Sequence, residues 1–325
     1  MASPGAAVQT KLKEPFMRLA ILFPGQGSQS VGMLSGFTGN AAAESVMRRA
    51  GEALGEDLVR LCSEGPADKL NLTVNTQPAL LAASVAFYEA YREAGGPEPA
   101  VMAGHSLGEY SALTAAGSLE LEEAVPLVRF RARAMQEAVP VGRGGMAAIL
   151  GLSDEDVRAA CAEASAAGVV EPVNFNCPGQ VVIAGISEAL ERACELCRQK
   201  GAKRALRLAV SAPFHSSLLK PARDRLAQRL ESTGVKPCRI PVYANVDARL
   251  HTTPEAIRGA LARQACSPVL WSSIMAEMKR AGVTHMIECG PGRVLSGLAR
   301  RCVPDIPCYS VSSEETLEAA LRAIS

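Results

Sequence analysis

The feature that most constrains this chain is a regular exchange of short apolar runs with longer segments of helical spacing. "MRLAILF" (17–23) reads as a strand apolar on both faces and is broken by "PGQGSQ". The helical stretches "AAAESVMRRAGEAL" and "QPALLAASVAFYEAYREA" follow, then a second short strand, "PAVMAG" (99–104), then a helix over 121–138 with Pro126 tolerable near its first turn. Strands apolar on both faces and joined by helices require crossover connections, so the pattern predicts an α/β protein with a parallel sheet covered on both sides.

The texture changes near residue 140. "MAAILGL" (146–152) reads as a strand, and Ser153 caps the helix "SDEDVRAACAEASAA". "VVEPVNFN" and "QVVIAG" form a hairpin across "CPG", a helix is stopped by Gly201, and "KRALRL" (203–208) closes the unit. The order β-α-β-β-α-β is that of a ferredoxin-like fold. Beyond it come a turn and a helix from about 211, a strand "IPVYANV" (240–246), a helix start at Thr253 and Pro254, and a strand, tight turn and helix in "HMIECGPGRVLSGLARR". The expected organisation is a tail over 1–16, a catalytic unit over 17–139 and 211–325, and an inserted small unit over 140–210.

A chain of 325 residues, 48% hydrophobic, can bury the core such an arrangement needs. Its net charge of +1 gives no global field for nucleic acid, and no run of about 18 apolar residues offers a membrane span. "MASPGAAVQTKLKEP" lacks the apolar stretch of a secretory signal, and ten scattered cysteines suit reduced thiols, so a cytoplasmic protein is expected. Cys194 and Cys197 form the one close pair; a structural zinc site would want a second, so no metal is expected.

The chemistry centres on "GHSLG", residues 104–108, at the junction of a strand and a helix. Glycines on both sides permit a sharp turn, and the helix start offers N–H groups and a positive dipole end to a developing oxyanion. Ser106 is therefore a candidate nucleophile, and it needs a base. Of four histidines, His105 adjoins the serine and points elsewhere, His251 lies in a polar loop where solvation is expected, and His285 lies in an apolar strand. His215, at a turn opening a helix, is the best base by elimination. No acid stands between Ser106 and His215 in the manner of a hydrolase triad, so a dyad oriented by a backbone carbonyl or an amide side chain is open. "FPGQGSQ" lacks the lysine of a Walker A loop, reads better as an oxyanion loop, and no cofactor is implied.

"FPGQGSQSVGM", "TQPALLAASVA", "GHSLGEYSAL", "RFRARAMQEAVP", "PVNFNCPGQVVIAG", "VSAPFHSSLLKPA" and "ECGPGRVLSGL", in that order, closely resemble the malonyl-CoA:acyl-carrier-protein transacylases. The resemblance runs from about residue 17 to the last strand. It implies an α/β-hydrolase-like large subdomain with an inserted ferredoxin-like one. It also implies that Ser106 takes the malonyl group while His215 serves as base and then acid. By the same resemblance, the backbone N–H groups of Gln26 and Leu107 form the oxyanion hole and Arg131 holds the malonate carboxylate. The backbone carbonyl of Gln264 orients His215, and His105 and Asn176 sit near the acyl group. Arg129 and Arg133, on the same helix, are then left to a solvated face. Phe214, before the base, resembles the malonyl-selecting domains of polyketide synthases. Excluding one methyl in this way is worth about 1–3 kcal/mol.

The implied partners are malonyl-CoA and an acidic, phosphopantetheinylated acyl carrier protein, and a monomer is expected with no nucleic acid or membrane involved. Lys203, Arg204, Lys220 and Arg223 are candidate basic contacts for that carrier. The rival reading is a hydrolase of the same fold that frees carriers of acyl groups. A hydrolase of neutral chains has no use for Arg131.

Overall fold

A computed structural model describes residues 17–210 and 212–325; the tail expected over residues 1–16 lies outside the described residues. The chain opens with β1 (Leu19–Phe23). Four helices follow: α1 (Ala41–Leu54), α2 (Leu58–Glu64), α3 (Ala67–Leu70) and α4 (Thr73–Glu93). β2 (Val101–Gly104) leads directly into α5 (Leu107–Ala115) and then α6 (Leu121–Glu137). The next stretch holds β3 (Gly144–Leu150), α7 (Asp154–Ala164), β4 (Val170–Cys177), β5 (Gln180–Ile186), α8 (Ser187–Gln199) and β6 (Arg204–Arg207). The remainder comprises α9 (Lys220–Glu231), β7 (Val242–Tyr243), α10 (Pro254–Gln264), α11 (Trp271–Arg280), β8 (His285–Cys289), α12 (Val294–Cys302), β9 (Cys308–Val311) and α13 (Glu314–Ile324).

Two sheets result. The larger has the order β7-β2-β1-β8-β9 with every neighbouring pair parallel. β1 is buried along its whole length. Leu19, Ile21 and Phe23 join the core on one face, while Ala20 and Leu22 join that on the other, which is the period-2 alternation of a strand covered on both sides. The smaller sheet, β4-β5-β3-β6, is antiparallel throughout and has the ferredoxin-like order. Ala147, Ile149, Val181 and Ile183 pack under α7 and α8. From the opposite face Met146, Val182 and Ala184 pack against Ala134, Met135, Phe214 and Leu226, so this sheet lies over α6 and α9 of the larger layer.

Local chemistry accounts for the boundaries. Ser153 caps α7 by accepting the Asp156 N–H, and Thr253 caps α10 with Pro254 at its first position. Gly179 at φ 72° makes the hairpin turn between β4 and β5. α4 begins at Thr73, four residues before the expected start, and carries Pro78 in its interior; burial of nearly every side chain offsets the lost hydrogen bond. β7 is only two residues long. Pro241 has no N–H to offer the ladder, and Asn245 leaves the sheet to bond elsewhere. β9, α11 and α13 were not read from the sequence; β9 carries no clear pattern, being half-buried over three of its four residues.

Candidate active site

The parallel sheet directs its functional residues to one edge. β1 ends at Phe23 and delivers Gln26, β2 ends at Gly104 and delivers His105 and Ser106, and β7 ends at Tyr243 and delivers Asn245. These are carboxyl ends at the place where strand order reverses about β1, the position open α/β sheets use for ligands.

The turn at Ser106 is tight. Ser106 has φ 52° and ψ −108°, a strained conformation for a residue with a side chain. Gly104 and Gly108 make it feasible, since a Cβ on Gly104 would run into the backbone of Gly108, and one on Gly108 into the carbonyl of Phe23. Asn245, fully buried, pins the turn on both sides. Its Oδ1 accepts the Ser106 N–H at 2.7 Å and its Nδ2 donates to the Gly104 carbonyl at 2.7 Å. Gln264 Nε2 donates to the Ser106 carbonyl at 2.9 Å.

Ser106 Oγ lies 2.7 Å from His215 Nε2, and His215 Nδ1 lies 2.8 Å from the Gln264 carbonyl oxygen. A carbonyl only accepts, so Nδ1 carries the imidazole proton and Nε2 presents a lone pair to the serine hydroxyl. Burial, aided by the nearby Arg131 charge, pushes His215 from its ordinary 6.5 down to about 3. The imidazole is thus neutral at pH 7, the state a base requires.

Arg131 is 1% exposed. Nη1 donates to Gln77 Oε1 at 2.7 Å, Nη2 to Gln264 Oε1 at 2.8 Å, and Nη2 again to Ser106 Oγ at 3.2 Å. Its guanidinium also lies 5.3 Å from the centre of the Tyr110 ring. Among the described residues no carboxylate comes within ion-pair distance of it. Burial lowers its pKa, and the charges of Tyr110 and Glu109 oppose the shift. A buried cation whose direct partners are all neutral costs several kcal/mol unless a ligand supplies the anion.

The expected residues therefore converge. Gln26, His105, Ser106, Leu107, Arg131, Phe214 and His215 line one cavity of about 100 Å³, together with Gln77, Asn174 and the apolar Met135, Met146, Leu208 and Val210. Leu107 is the first residue of α5, so its N–H has no acceptor inside the helix. Gln26 is held through its side chain to Thr73 Oγ1 at 3.1 Å. Asn176 stands behind the wall, where its Oδ1 bonds His105 Nε2 at 2.8 Å; burial lowers the His105 pKa. Gln264 is fully buried and touches His215, the Ser106 turn and Arg131 at once.

Some expectations need correction. Arg129, assigned to a solvated face, is 8% exposed and makes a bidentate pair with Glu56 at 2.8 and 2.6 Å. Arg133 is exposed as expected. His251 is not simply solvated, since its Nε2 sits 3.0 Å from the Asp247 carboxylate. Of the basic candidates for a carrier surface, Lys203, Arg204 and Lys220 are exposed, whereas Arg223 is tied to Asp224. Cys194 and Cys197 are buried free thiols in the small core. Among the described residues no group of side chains could hold a metal ion. Gln77, Glu109 and Asn245 escaped sequence reasoning; the one available signal was that Asn245 follows a strand, as Gln26 and Ser106 do.

The comparisons with known proteins agree in direction. The family model for the acyl transferase domain matches residues 21–305. Over 306 residues the chain is 50% identical to the malonyl CoA-acyl carrier protein transacylase of Escherichia coli, covering 94% of this chain and 99% of that one. Among solved structures, acyl-carrier-protein S-malonyltransferase from Burkholderia pseudomallei aligns at TM-score 0.93 and 56% identity, covering 94% of this chain and 100% of that one. A malonyl-transacylase solved in complex with its type II PKS acyl-carrier protein aligns at TM-score 0.92 and 48% identity, covering 94% and 99%.

Proposed function

The chain belongs to the malonyl CoA-acyl carrier protein transacylases of the acyl transferase family, and from that premise we propose that it moves malonyl groups from malonyl-CoA to the phosphopantetheine thiol of an acyl carrier protein. The product is the extender unit of fatty-acid or polyketide synthesis. The observation that carries this reading is Arg131, a buried guanidinium 3.2 Å from the Ser106 hydroxyl with no carboxylate partner among the described residues. A site so built fits an acyl group that brings its own carboxylate, with Arg's planar fork matching the two oxygens.

The transfer runs in two halves. Ser106 Oγ attacks the thioester carbonyl as its proton passes to His215 Nε2, and the N–H groups of Gln26 and Leu107 receive the oxyanion. The C–S bond then breaks, and the proton on His215 goes to the departing CoA sulfur. In the second half the carrier thiol yields its proton to His215 and attacks the malonyl-serine ester. The C–O bond breaks, and the proton returns to Ser106. Two exchanges through one covalent intermediate give ping-pong kinetics.

Residues 17–139 and 211–325 supply the reacting groups, and 140–210 act as an inserted unit that walls the cavity with Met146, Leu208 and Val210. Phe214 stands in the same wall and favours malonyl over α-branched groups. A monomer is sufficient, because one chain furnishes every group named. The ten free cysteines suit a reducing cytoplasm.

The test is to supply malonyl-CoA and a holo acyl carrier protein and to weigh the carrier while assaying free malonate. Transfer predicts a malonyl-carrier product and parallel double-reciprocal lines. Release of free malonate with the carrier left unloaded would support the hydrolase instead.

A further inference from the structure

Glu109 sits in the first turn of α5, is 2% exposed, and has no part in the steps above. Its Oε2 accepts two N–H donors, Gln264 Nε2 at 2.8 Å and the Asn245 backbone at 3.0 Å. These two neighbours are the residues that hold the site together. Asn245 pins the serine turn, while Gln264 reaches the Ser106 carbonyl, His215 and Arg131.

The Gln264 side chain has one donor end and one acceptor end. On its donor side lie Glu109 Oε2 and the Ser106 carbonyl, both acceptors in this arrangement. Its carbonyl end is thereby turned to Arg131 Nη2, which can only donate. We infer that Glu109 is a positioning residue for malonyl recognition: it fixes the orientation of the Gln264 amide and so holds Arg131 where it meets the substrate carboxylate.

The other contacts of Gln264 and Asn245 do not depend on it in the same way. His215 is bonded to the backbone carbonyl of Gln264, the last residue of α10, and that carbonyl is set by the helix. Asn245 grips the serine turn through its own side chain. The link that runs from Glu109 through the Gln264 side chain therefore ends at Arg131, and its loss falls first on substrates that carry a carboxylate. When ionised, Glu109 also places a negative charge near the buried guanidinium without forming an ion pair with it.

The inference rests on the malonyl-transfer reading and is tested separately from it. Wild type and Glu109→Gln are mixed with malonyl-CoA or acetyl-CoA, and the rate of acyl-enzyme formation is followed by rapid quench and intact mass. A glutamine at this position can turn either end to Gln264 and carries no charge. The preference for malonyl over acetyl is expected to fall about tenfold, with acetyl loading changed less than about threefold. Glu109→Asp, which keeps the charge and withdraws it by one methylene, is expected to shift the preference the same way, and it serves if the glutamine variant does not fold. An equal loss with both substrates, or an unchanged preference, would overturn the inference. Failure of the wild type to load malonyl would instead remove the reading beneath it.

Discussion

At the scale of single residues the site is a set of groups kept in otherwise unfavourable states. Ser106 is held at positive φ, Arg131 is a buried charge, and His215 is an imidazole denied its proton. The last has a consequence for pH. The unfolded chain takes up a proton near 6.5 that the folded chain refuses until about 3, so this residue's contribution to stability shrinks as pH falls through that window. Nitrogen NMR of the imidazoles is expected to show His215 neutral from pH 8 to 5, with the proton on Nδ1 and Nε2 bare. A midpoint near 6.5 would contradict the buried dyad. Glu109 works in the opposite sense. Burial pushes its carboxyl up to about 7, so the stability it contributes is largest at acid pH and declines as pH rises through that value.

Sequence reached some of these residues and not others, for physical reasons. Ser106 was legible as a candidate nucleophile because a serine between two glycines at a strand-to-helix junction has few other uses. Arg131 was not separable by spacing from Arg129 or Arg133. All three sit on α6, and which one enters the cavity depends on how that helix packs against α4 and the small sheet. Arg129 met Glu56 in the turn between α1 and α2, a contact 73 residues away in sequence.

At the scale of elements, the site is built from strand ends. β1, β2 and β7 each stop where a functional residue must leave the sheet, and α5 starts where Leu107 can offer an unpaired N–H. The short β7 is part of this design, since two more residues of pairing would carry Asn245 away from the serine turn. Replacing Asn245 by alanine leaves the Ser106 N–H and the Gly104 carbonyl without their partner. Chemical denaturation is expected to show a loss of roughly 1–3 kcal/mol, and acylation should slow because the turn is no longer held. Full stability and full activity in that variant would mean the turn keeps itself. The strand pattern was readable from alternation, but the asparagine was not, because its partners lie up to 141 residues away.

At the scale of the whole molecule, two sheets share one cavity. The parallel sheet brings the candidate nucleophile Ser106 to its edge, where the loop ahead of α9 places His215 against it, and the antiparallel sheet covers them with apolar side chains. The order of elements in the sequence was enough to anticipate both sheets and the strand order of the smaller one. The network joining Glu109, Gln264, Asn245 and Arg131 was not, because it draws on α5, α6, α10 and the end of β7 and exists only once all four are packed.

The central claim is that Ser106 accepts a malonyl group because Arg131 waits beside it. The most direct test is intact-mass analysis of wild type, Ser106→Ala and Arg131→Ala after brief mixing with malonyl-CoA or acetyl-CoA. Wild type is expected to carry one malonyl group, and Ser106→Ala none. Arg131→Ala should load malonyl at least about a hundredfold more slowly while still accepting acetyl. Malonyl loading that survives in Ser106→Ala, or that is unaffected in Arg131→Ala, would contradict the account.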